Sequence, residues 1–268
     1  MPDEDYWALH EDACKRGETT YIDPETGFMV FTRLGLLERD RCCGAGCRHC
    51  PFGHESVGLS QRAKRIQQAA WLTNARPDPS REAAIVFWSG GKDSFLAYRA
   101  LERQKRFSLV LLTTFDARSR IIAHQEFPID DVVEQAKRLG APLIGVPLFS
   151  GPDYVDQVLP ALGLVQDCET LCFGDLHLEH IRSWREDTFG ADERTRSMAL
   201  ELPLWKSDYG SLLEDLTASG AVCHISAISA ELPGISVGDR FDADLIARLP
   251  QGVDTFGENG EFHTKIMP

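Results

Sequence analysis

Apolar residues are spaced differently in the first and later parts of the chain. Residues 1–58 are rich in charge, glycine and cysteine and show no sustained period, although residues 21–32 have the pattern of a small hairpin around a Pro-Glu-Thr-Gly turn. Residues 59–72 predict an amphipathic helix, because apolar positions recur at every third or fourth residue. The polar stretch 74–81 carries two prolines and indicates a boundary between modules.

From residue 83 onward, apolar runs of strand length alternate with stretches of helical period. The predicted strands are residues 83–88, 108–115, 142–148, 170–174, 198–205 and 221–229. The predicted helices are residues 94–105, 130–139, 152–162, 177–189 and 208–219. Alternation of this kind is typical of a parallel α/β sheet, in which ligands bind at the carboxyl ends of the strands.

Charge and apolar content restrict the partners that the chain can have. The net charge is −13, from 28 basic and 41 acidic residues, and so extended nucleic-acid binding is disfavoured. Residues 33–65 carry seven basic and three acidic residues, which keeps a small basic patch open, although a solvated helix face is the favoured explanation. The apolar runs are too short to span a membrane and the acidic start lacks a signal-peptide pattern, so we expect a cytoplasmic protein, with a homo-oligomer left open.

The clearest motif is the sequence SGGKDS at residues 89–94, between the first of these strands and its helix. Its glycines allow a tight turn that brings N–H groups and a helix N-terminus against an anion. Its serines and lysine supply donors and charge, and its aspartate can hold Mg²⁺ against phosphates. A plain glycine turn would explain the glycines but not the four polar side chains. The nucleotide-binding residues predicted here are Ser89, Gly90, Gly91, Lys92, Asp93 and Ser94.

This loop resembles the PP-loop signature of ATP pyrophosphatases, enzymes of the HUP fold that form adenylated intermediates and release pyrophosphate. Residues 112–116, 173–179 and 257–264 resemble the diphthine–ammonia ligase branch of that family, the last stretch most specifically. In archaea and eukaryotes, enzymes of this branch use ATP and ammonia to amidate a modified histidine of an elongation factor. The substrate does not transfer with the fold.

The resemblance implies an AMP- and pyrophosphate-forming ligase that uses ATP and Mg²⁺ to adenylate a carboxylate, which ammonia or an amine then converts to an amide. The carboxylate would belong to a small molecule or a protein side chain. We therefore expect an α/β protein with a parallel-sheet HUP domain, a small N-terminal metal-binding module and a small C-terminal lobe. The predicted divisions are a cysteine-rich module (1–58), a connecting helix and linker (59–82), an ATP-binding domain (83–220) and a substrate lobe (221–268).

Further candidates follow the predicted strands. Asp116 ends the second strand and is a candidate for ribose or metal contact. Asp175 follows the fourth strand, and Glu179, Arg182 and Glu186 then share one helix face. Such a row could steer a substrate carboxylate and its amine, or it could be a self-paired surface helix. The resemblance favours Asp175, Glu179, Arg182 and also Lys92 of the loop as catalytic residues, and leaves both Arg185 and Glu186 open.

Two carboxylates flank a glycine near residue 260. Glu258 and Glu261 would be costly to bury without a cation or donors, whereas an exposed acidic turn would carry no such cost. The resemblance favours a catalytic role for both, with His263 as a further candidate.

Four cysteines lie within nine residues and predict a metal site. Cys42, Cys43, Cys47 and Cys50 stand in a glycine-rich stretch, and crowded thiols in a reducing compartment favour an iron–sulfur cluster, then Zn²⁺, with a metal-free thiol cluster third. His49 or His54 could replace a thiolate on zinc. The spacing also matches the radical SAM loop, but that interpretation is rejected because the rest of the chain resembles a PP-loop enzyme and not a (β/α)₈ barrel. Residues 21–54 resemble a small cysteine-rich module of unknown function.

Two other functions stay open. Several PP-loop enzymes with clusters transfer sulfur, so tRNA or small-molecule thiolation is one alternative, favoured by the basic patch beside the cysteines and opposed by the acidic total. Cys168 and Cys172 would support it if they reached the nucleotide pocket, although buried, inert thiols are the simpler interpretation. The other alternative is a non-catalytic nucleotide or redox sensor.

Overall fold

The computed structural model of the protein describes residues 6–150, 153–229 and 231–268. Residues 1–5 of the expected N-terminal module and Pro152 of an expected helix lie outside these ranges. The helices are α1 (Tyr6–Lys15), α2 (Arg33–Leu37), α3 (Leu59–Arg65), α4 (Lys92–Gln104), α5 (Ile129–Leu139), α6 (Tyr154–Leu162), α7 (Glu179–Ala191), α8 (Tyr209–Ala218) and α9 (Ala243–Arg248). The strands are β1 (Thr20–Ile22), β2 (Met29–Phe31), β3 (Ala70–Trp71), β4 (Glu82–Phe87), β5 (Phe107–Asp116), β6 (Leu143–Leu148), β7 (Cys168–Cys172), β8 (Ala199–Glu201), β9 (Val222–Ile228) and β10 (Phe262–Met267).

A six-stranded sheet in the order β3-β6-β5-β4-β7-β8 forms the centre of the protein. All its pairs are parallel except that between β3 and β6. The sheet is buried on both faces: α4, α5 and α8 contribute to one apolar core, while α6 and α7 contribute to the other. This architecture confirms the predicted HUP-like α/β fold. No helix in the described ranges is both long and apolar enough to cross a membrane.

The connecting segment differs from its predicted single helix. Helix α3 ends at Arg65, and residues 70 and 71 pair antiparallel with Gly145 and Ile144 at the edge of the sheet. The buried guanidinium of Arg62 holds this arrangement, because it donates hydrogen bonds to the carbonyl oxygens of residues 55, 57 and 71. Pairing with an open sheet edge therefore overrides the helical period of residues 66–72.

Two later predicted strands differ in their pairing or length. The strand predicted at residues 221–229 is present as β9, which lies outside the parallel sheet and pairs antiparallel with β10, so that Cys223 lies opposite Ile266. Their buried side chains belong to the same core as Leu96 of α4. The expected strand 198–205 is reduced to the three residues of β8 at the sheet edge.

The N-terminal module contains the predicted hairpin, in which Tyr21 of β1 lies opposite Val30 of β2. Helix α1 precedes it and was not predicted, since its sequence shows no clear amphipathic period. The rings of His10 and His49 stack with their centroids 3.8 Å apart, and the hydroxyl of Tyr21 lies 2.9 Å from Nε2 of His49. Aromatic stacking therefore joins α1, the hairpin and the cysteine segment.

A single buried amide connects the first strand–helix turn to the end of the chain. Nε2 of Gln135 donates to the carbonyl oxygens of Gly90 at 3.0 Å and Ile266 at 2.7 Å, while its Oε1 accepts from Nε1 of Trp88 at 2.9 Å. The N–H of Ile266 also donates to the Gly90 carbonyl oxygen at 2.9 Å. Strand β10 and α5 thus hold this turn from behind.

We expect Gln135→Ala to lower the free energy of unfolding by about 3 kcal/mol, because it leaves one buried donor and two buried acceptors short of a partner. Urea unfolding followed by circular dichroism measures the loss. Gln104→Ala, at the exposed end of α4, is the matched control and should change stability by no more than about 0.5 kcal/mol. Equal losses in the two variants would contradict the structural role given to Gln135.

Candidate functional site

Residues 89–91 form the turn between β4 and α4. Gly90 has a φ of +81°, and a Cβ atom there would lie 2.8 Å from Oε1 of Gln135, so a side chain would be excluded by both backbone and space. The N–H of Gly91 lies 3.3 Å from Oγ of Ser89, and Oγ of Ser94 donates to the Gly91 carbonyl oxygen at 3.0 Å. The predicted phosphate loop is therefore shaped before any ligand binds.

Lys92 and Asp93 form an ion pair in this loop, in which Lys92 is buried and Asp93 is partly exposed. Nζ of Lys92 lies 2.8 Å from Oδ2 of Asp93 and 5 to 6 Å from the ring centroids of three phenylalanines of the C-terminal region. Burial raises the pKa of Asp93, and the ammonium of Lys92 opposes that rise. Oδ1 of Asp93 is buried and has no hydrogen-bond partner in the described part of the chain. An orphaned carboxylate oxygen beside a phosphate loop fits Mg²⁺, which needs only one or two protein carboxylates besides phosphate oxygens.

A cavity of about 500 Å³ opens at the carboxyl ends of β4, β5 and β7, where a parallel sheet binds its ligands. It brings together residues that are distant in sequence. Its polar lining includes Ser89, Asp93, Ser94, Asp175, Arg185 and Glu258.

Gly174 allows the end of β7 to approach the loop. A Cβ atom at this position would lie 2.8 Å from the carbonyl oxygen of Asp93. The next residue, Asp175, forms an ion pair with Arg185 of α7, whose Nη2 lies 2.9 Å from Oδ1. The guanidinium carbon of Arg185 also lies 4.0 Å from the centroid of the Phe173 ring. Arg185 is therefore held in the wall of the cavity by charge on one side and by an aromatic face on the other.

Glu258 adds another carboxyl group to the same cavity. Burial raises the pKa of Glu258 to about 8; the carboxylates of Asp93, Asp254 and Asp175 add to the rise, and Lys92 opposes it. The N–H of Glu258 lies 3.2 Å from Oδ1 of Asp254. Because several carboxyl groups face one another here, the cavity favours a cation, a proton or an amine.

Four predicted site residues outside the phosphate loop do not line this cavity: Asp116, Glu179, Arg182 and Glu261. Oδ1 of Asp116 accepts hydrogen bonds from the backbone N–H groups of Arg118 and Ser119, and the side chain lines a separate small recess. Glu179 is exposed and lies 3.0 Å from Nζ of Lys206. Arg182 donates to Glu186 at 2.8 Å on the exposed face of α7. Of the predicted row of Glu179, Arg182 and Glu186, the last two thus pair with each other at the surface, while Glu179 pairs with Lys206 outside the row.

Glu261 closes a turn instead of reaching the cavity. Its Oε1 accepts from the N–H of Asp254 at 3.0 Å, and its Oε2 accepts from the N–H of Asn259 at 3.1 Å. Both carboxylate oxygens therefore hold the turn that presents Glu258. His263 is half-buried near His124, with ring centroids 5.9 Å apart, and burial lowers its pKa.

Two residues of the site were not singled out from the sequence. Gln135 is the one polar residue among the buried positions of α5, and a buried polar residue on an apolar face could have drawn attention to it. Oγ1 of Thr264 accepts a hydrogen bond from the N–H of Lys92 at 3.1 Å. Nothing local in the sequence indicates a contact between two residues that are 172 positions apart.

The four clustered cysteines lie in two different environments. Sγ of Cys43 and Sγ of Cys47 are 3.5 Å apart, with Cys43 exposed, whereas Cys42 and Cys50 are buried. Burial and the neighbouring Cys43 thiol raise the pKa of Cys47 to about 11, while the Ala45 N–H lowers that of Cys43.

These cysteines do not converge on one metal-sized point. No group of three or more His, Cys, Asp or Glu side chains within the described residues could hold a metal ion. Nε2 of His49 contacts the Tyr21 hydroxyl, and Nε2 of His54 lies 3.0 Å from the carbonyl oxygen of Cys47. An iron–sulfur cluster or zinc therefore stays a prediction. Neither Cys168 nor Cys172 lines the cavity beside the predicted phosphate loop.

Two protein families match the chain. Residues 82–189 match the diphthamide synthase N-terminal domain, and residues 9–56 match a family of unknown function (DUF5522). These matches confirm the resemblance to this PP-loop branch and to an N-terminal module of unknown function. The stretch 257–264, which carries Glu258, lies outside both matched ranges.

We expect Glu258→Gln to become more stabilising, relative to the wild type, as the pH rises. The folded protein keeps the Glu258 proton up to a pKa of about 8, whereas the unfolded chain releases it near 4.5. The contribution of Glu258 to stability is therefore complete below pH 4.5 and is lost as the pH rises towards 8. Thermal unfolding of metal-free protein between pH 5 and pH 9 measures the difference in Tm between variant and wild type.

The control is Glu193→Gln, whose side chain is 86% exposed and should show no trend with pH. A Tm difference for Glu258→Gln that stays constant over the same range would show that the carboxyl titrates normally in the folded protein.

Proposed function

We propose, from the premise that residues 82–189 are a PP-loop ATP pyrophosphatase domain, that the protein is an AMP- and pyrophosphate-forming ligase. It would adenylate a substrate carboxylate and convert it to an amide with ammonia or an amine. The observation that carries this proposal is the single cavity that joins the phosphate loop to Arg185 and Glu258. The phosphate loop is needed to hold ATP, Arg185 suits a substrate carboxylate, and Glu258 suits an amine.

The loop would bind the β and γ phosphates of ATP. Its N–H groups and the ammonium of Lys92 neutralise phosphate charge, and burial strengthens these interactions. A carboxylate oxygen of the substrate attacks the α phosphorus, the bond to the bridging oxygen breaks, and pyrophosphate leaves. Mg²⁺, held by Asp93, would supply further charge neutralisation on the phosphates.

Arg185 would bind the substrate carboxylate. Its guanidinium is fixed by the Phe173 ring and by Asp175, which accepts hydrogen bonds from Nε and Nη2. Nη1 and the second N–H of Nη2 then form the pair of donors that would face a substrate carboxylate. Binding in a fixed orientation makes the attack on the α phosphorus effectively unimolecular.

Glu258 would take the proton released in the second step. The amine nitrogen attacks the acyl carbon of the adenylate, the new C–N bond forms, and AMP leaves with the bond electrons. A carboxyl with a pKa of about 8 can accept and release protons near neutral pH.

Sulfur transfer is less well supported as the reaction in this cavity. It would need a reactive thiol beside the adenylated group, and Cys172 is fully buried in β7, where burial raises its pKa. A non-catalytic sensor would bind ATP without forming AMP, so the products of turnover distinguish it from a ligase.

The reaction is tested by incubating the protein with ATP, Mg²⁺, ammonium and a panel of carboxylic acids and protein substrates, and by separating the nucleotide products. We expect AMP and pyrophosphate in equal amounts, and Lys92→Met should reduce their formation by a factor on the order of 100 to 1,000. Lys137→Met, on the exposed face of α5, is the control and should retain activity. Formation of ADP in place of AMP would refute the ligase proposal.

Substitutions at two arginines of α7 test whether the substrate binds at the cavity or at the exposed face of this helix. We expect Arg185→Gln to raise the KM for the carboxylate substrate on the order of 10- to 100-fold, because a charge-assisted pair is lost. Arg182→Gln, three residues earlier, should leave the KM unchanged. Initial rates at varied acid concentration measure both, and a larger effect at position 182 would place the substrate on the other face of the helix.

A further inference from the structure

The outer pair of cysteines is already close to bonding distance. Sγ of Cys43 and Sγ of Cys47 are 3.5 Å apart, and a disulfide requires about 2.0 Å, a distance that small side-chain rotations can close. The intervening backbone has φ angles of +75° at Gly44 and +73° at Gly46. A Cβ atom on Gly44 would lie 2.9 Å from the carbonyl oxygen of Ser56. The loop is therefore built tightly enough to bring its two end thiols together.

One of the two thiols faces an open, basic recess. Cys43 is exposed and lines a recess of about 520 Å³ together with Arg39, Arg41, Ser56 and the buried Cys42. The guanidinium of Arg39 lies 4.6 Å from the centroid of the Phe31 ring and hydrogen-bonds the Cys43 thiol. Cys47 lies behind Cys43 and is half-buried. This gives an accessible first thiol beside positive charge and a shielded second thiol within its reach.

The division of the cluster argues against a shared metal. Cys42 and Cys50 are buried with Val57 in a small apolar core against which Cys47 packs, whereas Cys43 is exposed. In the described residues no third His, Cys, Asp or Glu side chain joins a pair to complete a metal site. The outer pair is therefore left to act by itself.

We propose that Cys43 and Cys47 are a redox-active dithiol that reduces disulfides bearing carboxylate groups. Sγ of Cys43 attacks one sulfur of the substrate, forms a mixed disulfide and releases the first thiol. Sγ of Cys47 then attacks Sγ of Cys43, which forms the Cys43–Cys47 disulfide and releases the second thiol. Two cysteine thiols are oxidised, one substrate disulfide is reduced, and the two cysteine protons end on the two released thiols. Arg39 and Arg41 bind the substrate carboxylates.

The test uses the full-length protein, reduced and then freed of reductant without oxygen. It is mixed with glutathione disulfide, which carries carboxylates, or with the neutral bis(2-hydroxyethyl) disulfide. Remaining thiols are alkylated, and the peptides are mapped by mass spectrometry. We expect one Cys43–Cys47 disulfide per chain in the wild type. We expect a stable mixed disulfide at Cys43 in Cys47→Ser, and neither product in Cys43→Ser.

Cys14→Ser, in α1 and outside the recess, is the matched control and should react as the wild type does. Arg41→Gln should slow the reaction with glutathione disulfide roughly tenfold and leave the reaction with the neutral disulfide unchanged, because only the charged substrate is attracted.

Reaction at the buried Cys42 or Cys50 in place of Cys43 would refute the proposal. So would iron or zinc bound stoichiometrically to the anaerobically purified wild type, together with thiols that react only after chelation. The peptide map of the wild type tests the proposal even if one of the variants does not fold.

Discussion

The hydrogen bonds of the Gln135 amide hold the phosphate loop in shape, and much of the site depends on them. Both N–H groups and the oxygen of this side chain are used: Trp88 and Gly90 come from the strand–helix turn, and Ile266 comes from β10. A buried amide with every group paired is strongly directional, since any displacement leaves a polar atom without a partner. The loop, α5 and β10 therefore keep a fixed geometry before ATP arrives.

Unlike the Gln135 amide, the polar groups of the cavity in front of the loop are not all paired. Asp93, Asp175 and Glu258 gather there, and the orphaned oxygen of Asp93 is not satisfied by the described chain. Carboxyl groups held close together destabilise the folded protein unless protons, cations or amines neutralise them. These carboxyl groups thus lower the free energy of unfolding, and the binding of a ligand can offset that loss, as is common at functional sites.

Local patterns predicted much of the fold but only part of the site. The SGGKDS loop and the alternating strands and helices were readable because each signal lies within a short window. The second half of the 59–72 helix was wrong because an unpaired sheet edge competed for those residues. On α7, Arg182 and Arg185 are both plausible from sequence, and only the packing of the helix against Phe173 decides which one enters the cavity. The turn bonds of Glu261 and the long-range contact of Thr264 depend on tertiary structure alone.

The bond between the Lys92 N–H and Thr264 also has a consequence for synthesis on the ribosome. The two residues are 172 positions apart, so the loop leaves the exit tunnel long before the strand that supports it. During that interval the nascent chain has the nucleotide-binding motif without its brace, and Gly90 is not yet held by Ile266. A chain that ends before β10 therefore lacks the contacts of Thr264 and Ile266 that hold the loop in this geometry.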